Sequence, residues 1–174
     1  MKKFFIFIAL VFFACKEESL QQDIEKHLPR ITLTNFTLIE TREGRKQWNL
    51  IATSAYVYEE VINVDSVKIK FYDEAEKEYA LLKGNAGQLN TKTHNILVRD
   101  SVVLLTDDST HLYTDSLFWL NDSQSILTDA RVKIIKKDST VIEGNGLKTG
   151  PDLQKIEIIG DIKGASPIKF PNIK

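Results

Sequence analysis

The stretch Leu82-Lys83-Gly84-Asn85-Ala86 recurs thirty residues later as Leu112-Tyr113-Thr114-Asp115-Ser116, and once more as Ile142-Glu143-Gly144-Asn145-Gly146. A second apolar run follows each copy at a matching distance, over residues 96–102, 126–132 and 156–162. Internal periods of this length are typical of stacked supersecondary units. The sequence therefore predicts one two-stranded unit that is repeated along the chain.

An earlier unit, with the same internal order and a shorter turn, covers residues 48–54 and 61–67. Four units thus extend from Trp48 to about Lys163. All four prolines lie outside the predicted strand interiors, where a missing amide hydrogen would interrupt the ladder. In the third unit, alternate residues predict a strand with one face toward a core. That inward set is Ile126, Thr128, Ala130, Val132 and Ile134. We expect an all-β fold with a long antiparallel sheet.

The composition leaves room for one domain of ordinary globular character. The chain has 174 residues, of which 43% are hydrophobic and 27% charged, and its formal net charge is −1. Such a chain is neither disordered nor fibrous in composition. The balance of charge gives no basic surface for nucleic acid.

The first fifteen residues have the order of a secretory signal. Lys2 and Lys3 precede an apolar run over residues 4–14, and Cys15 follows it directly. As a helix the run would be roughly 17 Å long, against about 30 Å for the hydrocarbon core of a membrane, so it is too short to span one. We interpret residues 1–14 as a cleaved signal peptide.

Cys15 is the only cysteine of the chain, and Phe12-Phe13-Ala14-Cys15 resembles the lipobox of bacterial lipoproteins, with Phe12 where leucine is usual. This resemblance implies lipidation of Cys15, and two or three acyl chains would anchor the protein stably. Residues 15–30 would then be a lipid anchor and tether. The alternative is an ordinary secretory signal followed by an incidental cysteine.

The sequence contains no recognisable catalytic or metal-binding motif. His27, His94 and His111 are far apart and have no second ligand at metal spacing, so surface or turn positions explain them better than a metal site. Four aspartates recur beside the second strand of each unit: Asp65, Asp100, Asp129 and Asp161. Because an active site is normally unique within a chain, their repetition predicts a structural role at strand bends. Neither a catalytic residue nor a cofactor is predicted.

The repeated apolar positions predict an elongated interior. One position is aliphatic in all four units, at Leu50, Leu82, Leu112 and Ile142, and a neighbouring position is small or polar. Facing rows of this kind could line an apolar trough. Periodicity alone does not distinguish such a trough from a closely packed core, and both remain open at this point.

Two stretches resemble the beginning of the LptC family, periplasmic components of the lipopolysaccharide-export machine. They are Asn35-Phe-Thr-Leu-Ile-Glu-Thr-Arg-Glu-Gly44 and Lys46-Gln-Trp48-Asn-Leu-Ile-Ala-Thr-Ser-Ala55, and the repeats through Gly164 resemble related bridge proteins, the OstA/LptA-like group. The resemblance implies an elongated, twisted antiparallel β-jellyroll over residues 31–164, open along one side, with residues 165–174 as a tail. It also implies a non-enzymatic protein that binds lipopolysaccharide.

The same resemblance implies the partners and the place of the protein. It would receive lipopolysaccharide from the inner-membrane Lpt ABC transporter, through the strands of residues 31–40. It would pass the lipid to an LptA-like periplasmic bridge protein through residues 155–164. The family usually keeps an N-terminal membrane helix, whereas this chain ends its apolar run at Cys15, which implies a periplasmic lipoprotein anchored to the inner membrane. The alternative is a structural envelope lipoprotein with a closed β core and no lipid transport.

Alternation and repeat register predict which side chains form the apolar, lipid-binding inner face. A slip of one residue would invert the assignment within a strand. The predicted set is Leu50, Val67, Ile69, Phe71, Leu82, Val102, Leu104, Leu112, Val132, Ile134, Ile142 and Ile162.

Overall fold

A computed structural model describes residues 28–165, and all ten regular elements in this part of the chain are β-strands. Cys15, the predicted signal peptide and residues 166–174 lie outside the described residues. The strands are β1 (Ile31–Arg42), β2 (Arg45–Val57), β3 (Val61–Tyr72), β4 (Glu78–Asn90), β5 (Ile96–Thr106), β6 (His111–Leu120), β7 (Ser125–Ile135), β8 (Val141–Thr149), β9 (Glu157–Ile158) and β10 (Ile162–Ala165). None of residues 28–165 forms a helix that could span a membrane.

The strands form one antiparallel sheet in which each pairs with its neighbours in sequence, from β1 to β8. The predicted all-β fold is confirmed, and the sheet matches a β-jellyroll. Each of the first three predicted units is a hairpin, since these units are β2–β3, β4–β5 and β6–β7. The register of the strand pairs therefore agrees with the hydrophobic repeat over most of the described residues.

The last unit differs from the prediction. Residues 156–162 were expected to form one strand, but they contain only β9 and the start of β10, and both pair with β8. Between them the amides of Ile159 and Gly160 donate to the carbonyls of Gly146 and Asn145, at 3.2 and 2.8 Å. Gly146 has φ +71°, a conformation that glycine adopts without strain. The interruption is thus a bulge opposite Gly146.

The strands bend near their middles, where the ladder is irregular. Register shifts occur between Lys83 and Ala86, between Thr114 and Phe118, and between Thr128 and Arg131. Several residues at such points have positive φ: Asn35, Ser66, Asp100 and Ser101. Bulges of this kind increase the local bend and twist of a strand. Asp65, Asp100 and Asp129 are exposed beside these points, which agrees with the structural role predicted for the repeated aspartates.

The bends divide the sheet into two layers that face each other. Layer A consists of the strand halves next to turns 43–44, 73–77, 107–110 and 136–140. Layer B consists of the halves next to turns 58–60, 91–95, 121–124 and 150–156. In β4 the inward residues are Ala80 and Leu82 before the bend but Gly87 and Leu89 after it, so even positions give way to odd ones. The apolar interior lies between the two layers.

Candidate functional site: the buried interior and its seam

The structure places most of the predicted inner-face residues in one buried cluster. Ten of the twelve are at most 1% exposed, and Ile142 is half-buried and packs against the cluster. Ile162 was wrongly predicted, since it is 61% exposed. It lies in the short edge strand β10, and its cross-strand partner is Gly144, which has no side chain to cover it.

Sequence reasoning missed most of the interior that layer B supplies. In β2, β3, β4, β6 and β8, strict alternation carried through the strand would turn the buried residues of layer B outward, because it does not allow for the bend. The thirty-residue period could have found them, since Leu117 and Leu147 occupy one repeat position and Ile96 and Ile126 another. The missed residues are Ala55, Val64, Leu89, Ile96, Val98, Leu117, Trp119 and Leu147, all buried, whereas Ile126 was predicted to face the core and is buried.

The interior is packed in this structure. Leu50, Leu82, Leu104 and Leu112 each have no accessible surface, so no water-sized space adjoins them. The sequence left open whether the interior is a groove or a filled core, and the conformation described here is the filled one. A lipid chain could enter only if the two layers moved apart or if these side chains repacked.

One side of the interior is closed by contacts between turns and strand ends that are distant in sequence. We call this line of contacts the seam. It joins Glu40, Arg42, Gln47, Trp48 and Phe71 of layer A to His94, Trp119, Asn121 and Gln124 of layer B. The indole Nε1 of Trp48 donates to Oδ1 of Asn121 at 2.9 Å, and both residues are buried. Asn121 is itself held in place, because its backbone amide donates to Oδ1 of Asn95 at 2.9 Å.

The centre of the seam is aromatic. The ring of Phe71 lies 4.9 Å from that of Trp119 at an angle of 59°, and 6.5 Å from that of Tyr79. Such tilted pairs are favourable arrangements of aromatic rings. The indole Nε1 of Trp119, however, is buried and has no hydrogen-bond partner. The two tryptophans of the chain therefore both lie on the seam, one with its N–H paired and one without.

Polar contacts form the outer edge of the seam. Nε2 of Gln124 donates to Oε1 of Gln47 at 3.0 Å, and a guanidinium nitrogen of Arg42 lies 3.4 Å from the carbonyl oxygen of Asn121. Nδ1 of His94 is 3.1 Å from the carboxylate of Glu40. The contact between the two glutamines is exposed, and the other two are partly buried. All three contacts involve side chains, and none of them is a backbone ladder.

The titratable groups do not converge on the interior. Burial, together with the carboxylates of Asp152 and Asp73, raises the pKa of Tyr79 to about 12, so its phenol is neutral at physiological pH. On the outer surface, a hydrogen bond from Arg131 lowers the pKa of Glu143. Residues 28–165 contain no cluster of side chains that could hold a metal ion. What the interior offers chemically is apolar surface and one free indole N–H.

We expect Asn121→Ala to lower the free energy of unfolding by about 1–3 kcal/mol, because it leaves the buried N–H of Trp48 without an acceptor. In a double-mutant cycle, Trp48→Phe should lower the free energy of unfolding less in the Asn121→Ala background than in the unchanged protein. Urea unfolding of the four proteins measures the coupling. Strictly additive effects would show that the bond does not hold the seam.

The chain matches a known protein family. The model of a family described as lipopolysaccharide-assembly, LptC-related, matches residues 4–166, which is nearly the whole chain. No curated protein sequence matches the chain.

Proposed function

We propose that this chain carries lipopolysaccharide across the periplasm, because it belongs to the LptC-related family of lipopolysaccharide-assembly proteins. This family acts in lipopolysaccharide transport and is not an enzyme family. It receives the lipid from the inner-membrane Lpt ABC transporter and passes it to an LptA-like bridge protein. Hydrolysis of nucleotide belongs to the transporter. The acyl chains occupy the interior between layers A and B.

The observation that carries this proposal is the continuous aliphatic interior. Its buried side chains come from every strand between β2 and β8, so the apolar surface runs through the stacked hairpins from one end to the other. Burial of acyl chains is favourable by about 0.8 kcal/mol per CH₂, which suits a lipid with several chains. The lipid must displace packing contacts between the layers, so net affinity depends on how readily the layers separate.

Both edges of the sheet support docking to neighbouring proteins. Ile31 and Ile39 of β1 are 53% and 50% exposed, and no described strand pairs with the outer edge of β1. At the other end, Ile159 and Ile162 are exposed beside the short strands β9 and β10. Unpaired strand edges with apolar side chains are templates for strand addition. We assign the β1 edge to the transporter and the β9–β10 edge to the bridge protein.

The proposal includes attachment to the inner membrane through a lipid on Cys15. The sequence that supports it is the charged and apolar leader that ends at this cysteine. Mass spectrometry of the protein from envelopes should detect a lipidated Cys15 at the N-terminus of the mature chain. Retention of residues 1–14, or an unmodified cysteine, would contradict the anchor.

Site-specific photocrosslinking tests lipid binding. In cells that make lipopolysaccharide, a diazirine analogue close in size to leucine at Leu112 should label lipopolysaccharide, because Leu112 faces the interior. The same probe at neighbouring Tyr113, which is 40% exposed, is the matched control and should label it weakly. A second pair is Val132 with Lys133. Equal labelling, or none at either inward position, would contradict transport and favour a structural lipoprotein.

A further inference from the structure

We propose that the seam is the entry through which acyl chains reach the interior, and that the indole N–H of Trp119 binds a carbonyl oxygen at the head of an acyl chain. This inference rests on the proposed function and adds a place of entry and a polar anchor to it. The ligand chemistry is an ester or amide carbonyl joined to a long apolar chain.

The seam is the boundary that can open at the lowest cost. Neighbouring strands are held by backbone ladders, for example eleven paired positions between β3 and β4. Across the seam, the contacts within residues 28–165 involve side chains, and no backbone–backbone hydrogen bond joins its two sides. Separation there leaves the sheet intact, whereas separation anywhere else breaks a ladder. The bends provide the hinge line, since the ladder is already irregular at those positions.

Trp119 provides the second and independent observation. Its side chain is at least nine-tenths buried, and its Nε1 has no acceptor, which is unusual for a buried donor. The indole N–H of Trp48, on the same seam, has an acceptor, so the fold can provide one there. Opening of the seam would uncover the N–H of Trp119 beside the apolar interior. A carbonyl oxygen that arrives with its chain in the interior would supply the missing acceptor.

Closing the seam covalently tests the entry. In the full-length chain, Gln47→Cys and Gln124→Cys can be joined by a bismaleimide whose linker contains a disulfide, because the two glutamine side chains already touch at the surface. With the photoprobe at Leu112, cross-linking should reduce lipopolysaccharide labelling at least tenfold, and cleavage of the linker should restore it. Labelling of each single cysteine variant, treated with the same reagent, is the reference for a seam that carries the reagent but no bridge.

The outcomes separate the two proposals. If the protein with an open linker does not label at all, the proposed function fails. If it labels equally with the linker intact, lipid reaches the interior by another route and the seam is not the entry.

An isosteric replacement tests the anchor. Benzothienylalanine at position 119 keeps the shape of tryptophan and replaces the N–H by sulfur. Because this N–H has no partner in the closed structure, thermal stability should stay unchanged, while lipopolysaccharide labelling should fall about three- to tenfold, the effect of one hydrogen bond. The same replacement at Trp48 should instead lower the melting temperature. Unchanged labelling with the position-119 isostere would refute the anchor.

Discussion

Phe71→Ala is expected to lower the free energy of unfolding by about 3–5 kcal/mol, the usual cost of emptying a buried aromatic site. The ring is 1% exposed and contacts Trp119 and Tyr79. Phe71 belongs to layer A and Trp119 to layer B, so the substitution removes packing that holds the layers together. Neither layer can close the cavity that the lost ring leaves without bending a strand. Urea unfolding followed by far-UV circular dichroism measures the loss.

Phe118→Ala is the matched control. Phe118 lies next to Trp119 in β6, but its side chain points away from the interior and is 39% exposed. The same truncation there should cost less than about 1 kcal/mol, in the range of surface substitutions. A comparable loss in the two variants would contradict the assignment of the inward face of layer B.

The sequence predicts the hairpin units and the inward face of layer A, because the thirty-residue period and the alternation act together there. Leu82 and Leu112 were placed correctly, since each lies on the side of the bend where the repeat was read. The far side of the bend was not predicted in β2, β3, β4, β6 and β8, because there the irregular ladder shifts the inward face by one residue and leaves the composition of the strand unchanged. Trp119 was missed for this reason.

The seam was beyond prediction from a single sequence. Trp48 and Asn121 are 73 residues apart, and their contact depends on how far the two layers coil around the interior. Local propensity and repeat register contain no information about that rotation. Ile162 shows the converse limit, since its repeat position was right but no described strand pairs with the outer edge of β10 and covers it.

Gly84→Val should destabilise the protein by about 3 kcal/mol, at the upper end of the cost of overpacking. A Cβ atom on Gly84 would lie 2.4 Å from Cγ1 of Val98 and 3.1 Å from the carbonyl oxygen of Arg99. Both neighbours belong to β5 where it bends against β4. The side chain of Val98 could move, but the backbone of Arg99 is held by its ladder. The bend of the hairpin must therefore widen, and the melting temperature should fall.

Two variants show whether the loss comes from the bend. Gly164→Val is the control, because a Cβ there lies 3.7 Å from its nearest contact, the carbonyl oxygen of Val141, and should be nearly neutral. Val98→Ala in the Gly84→Val background relieves the closer collision only. We therefore expect partial recovery of the melting temperature, since the contact with the Arg99 carbonyl remains. Full recovery would mean that side-chain crowding alone requires glycine at position 84, and that the β4–β5 bend has room for a side chain.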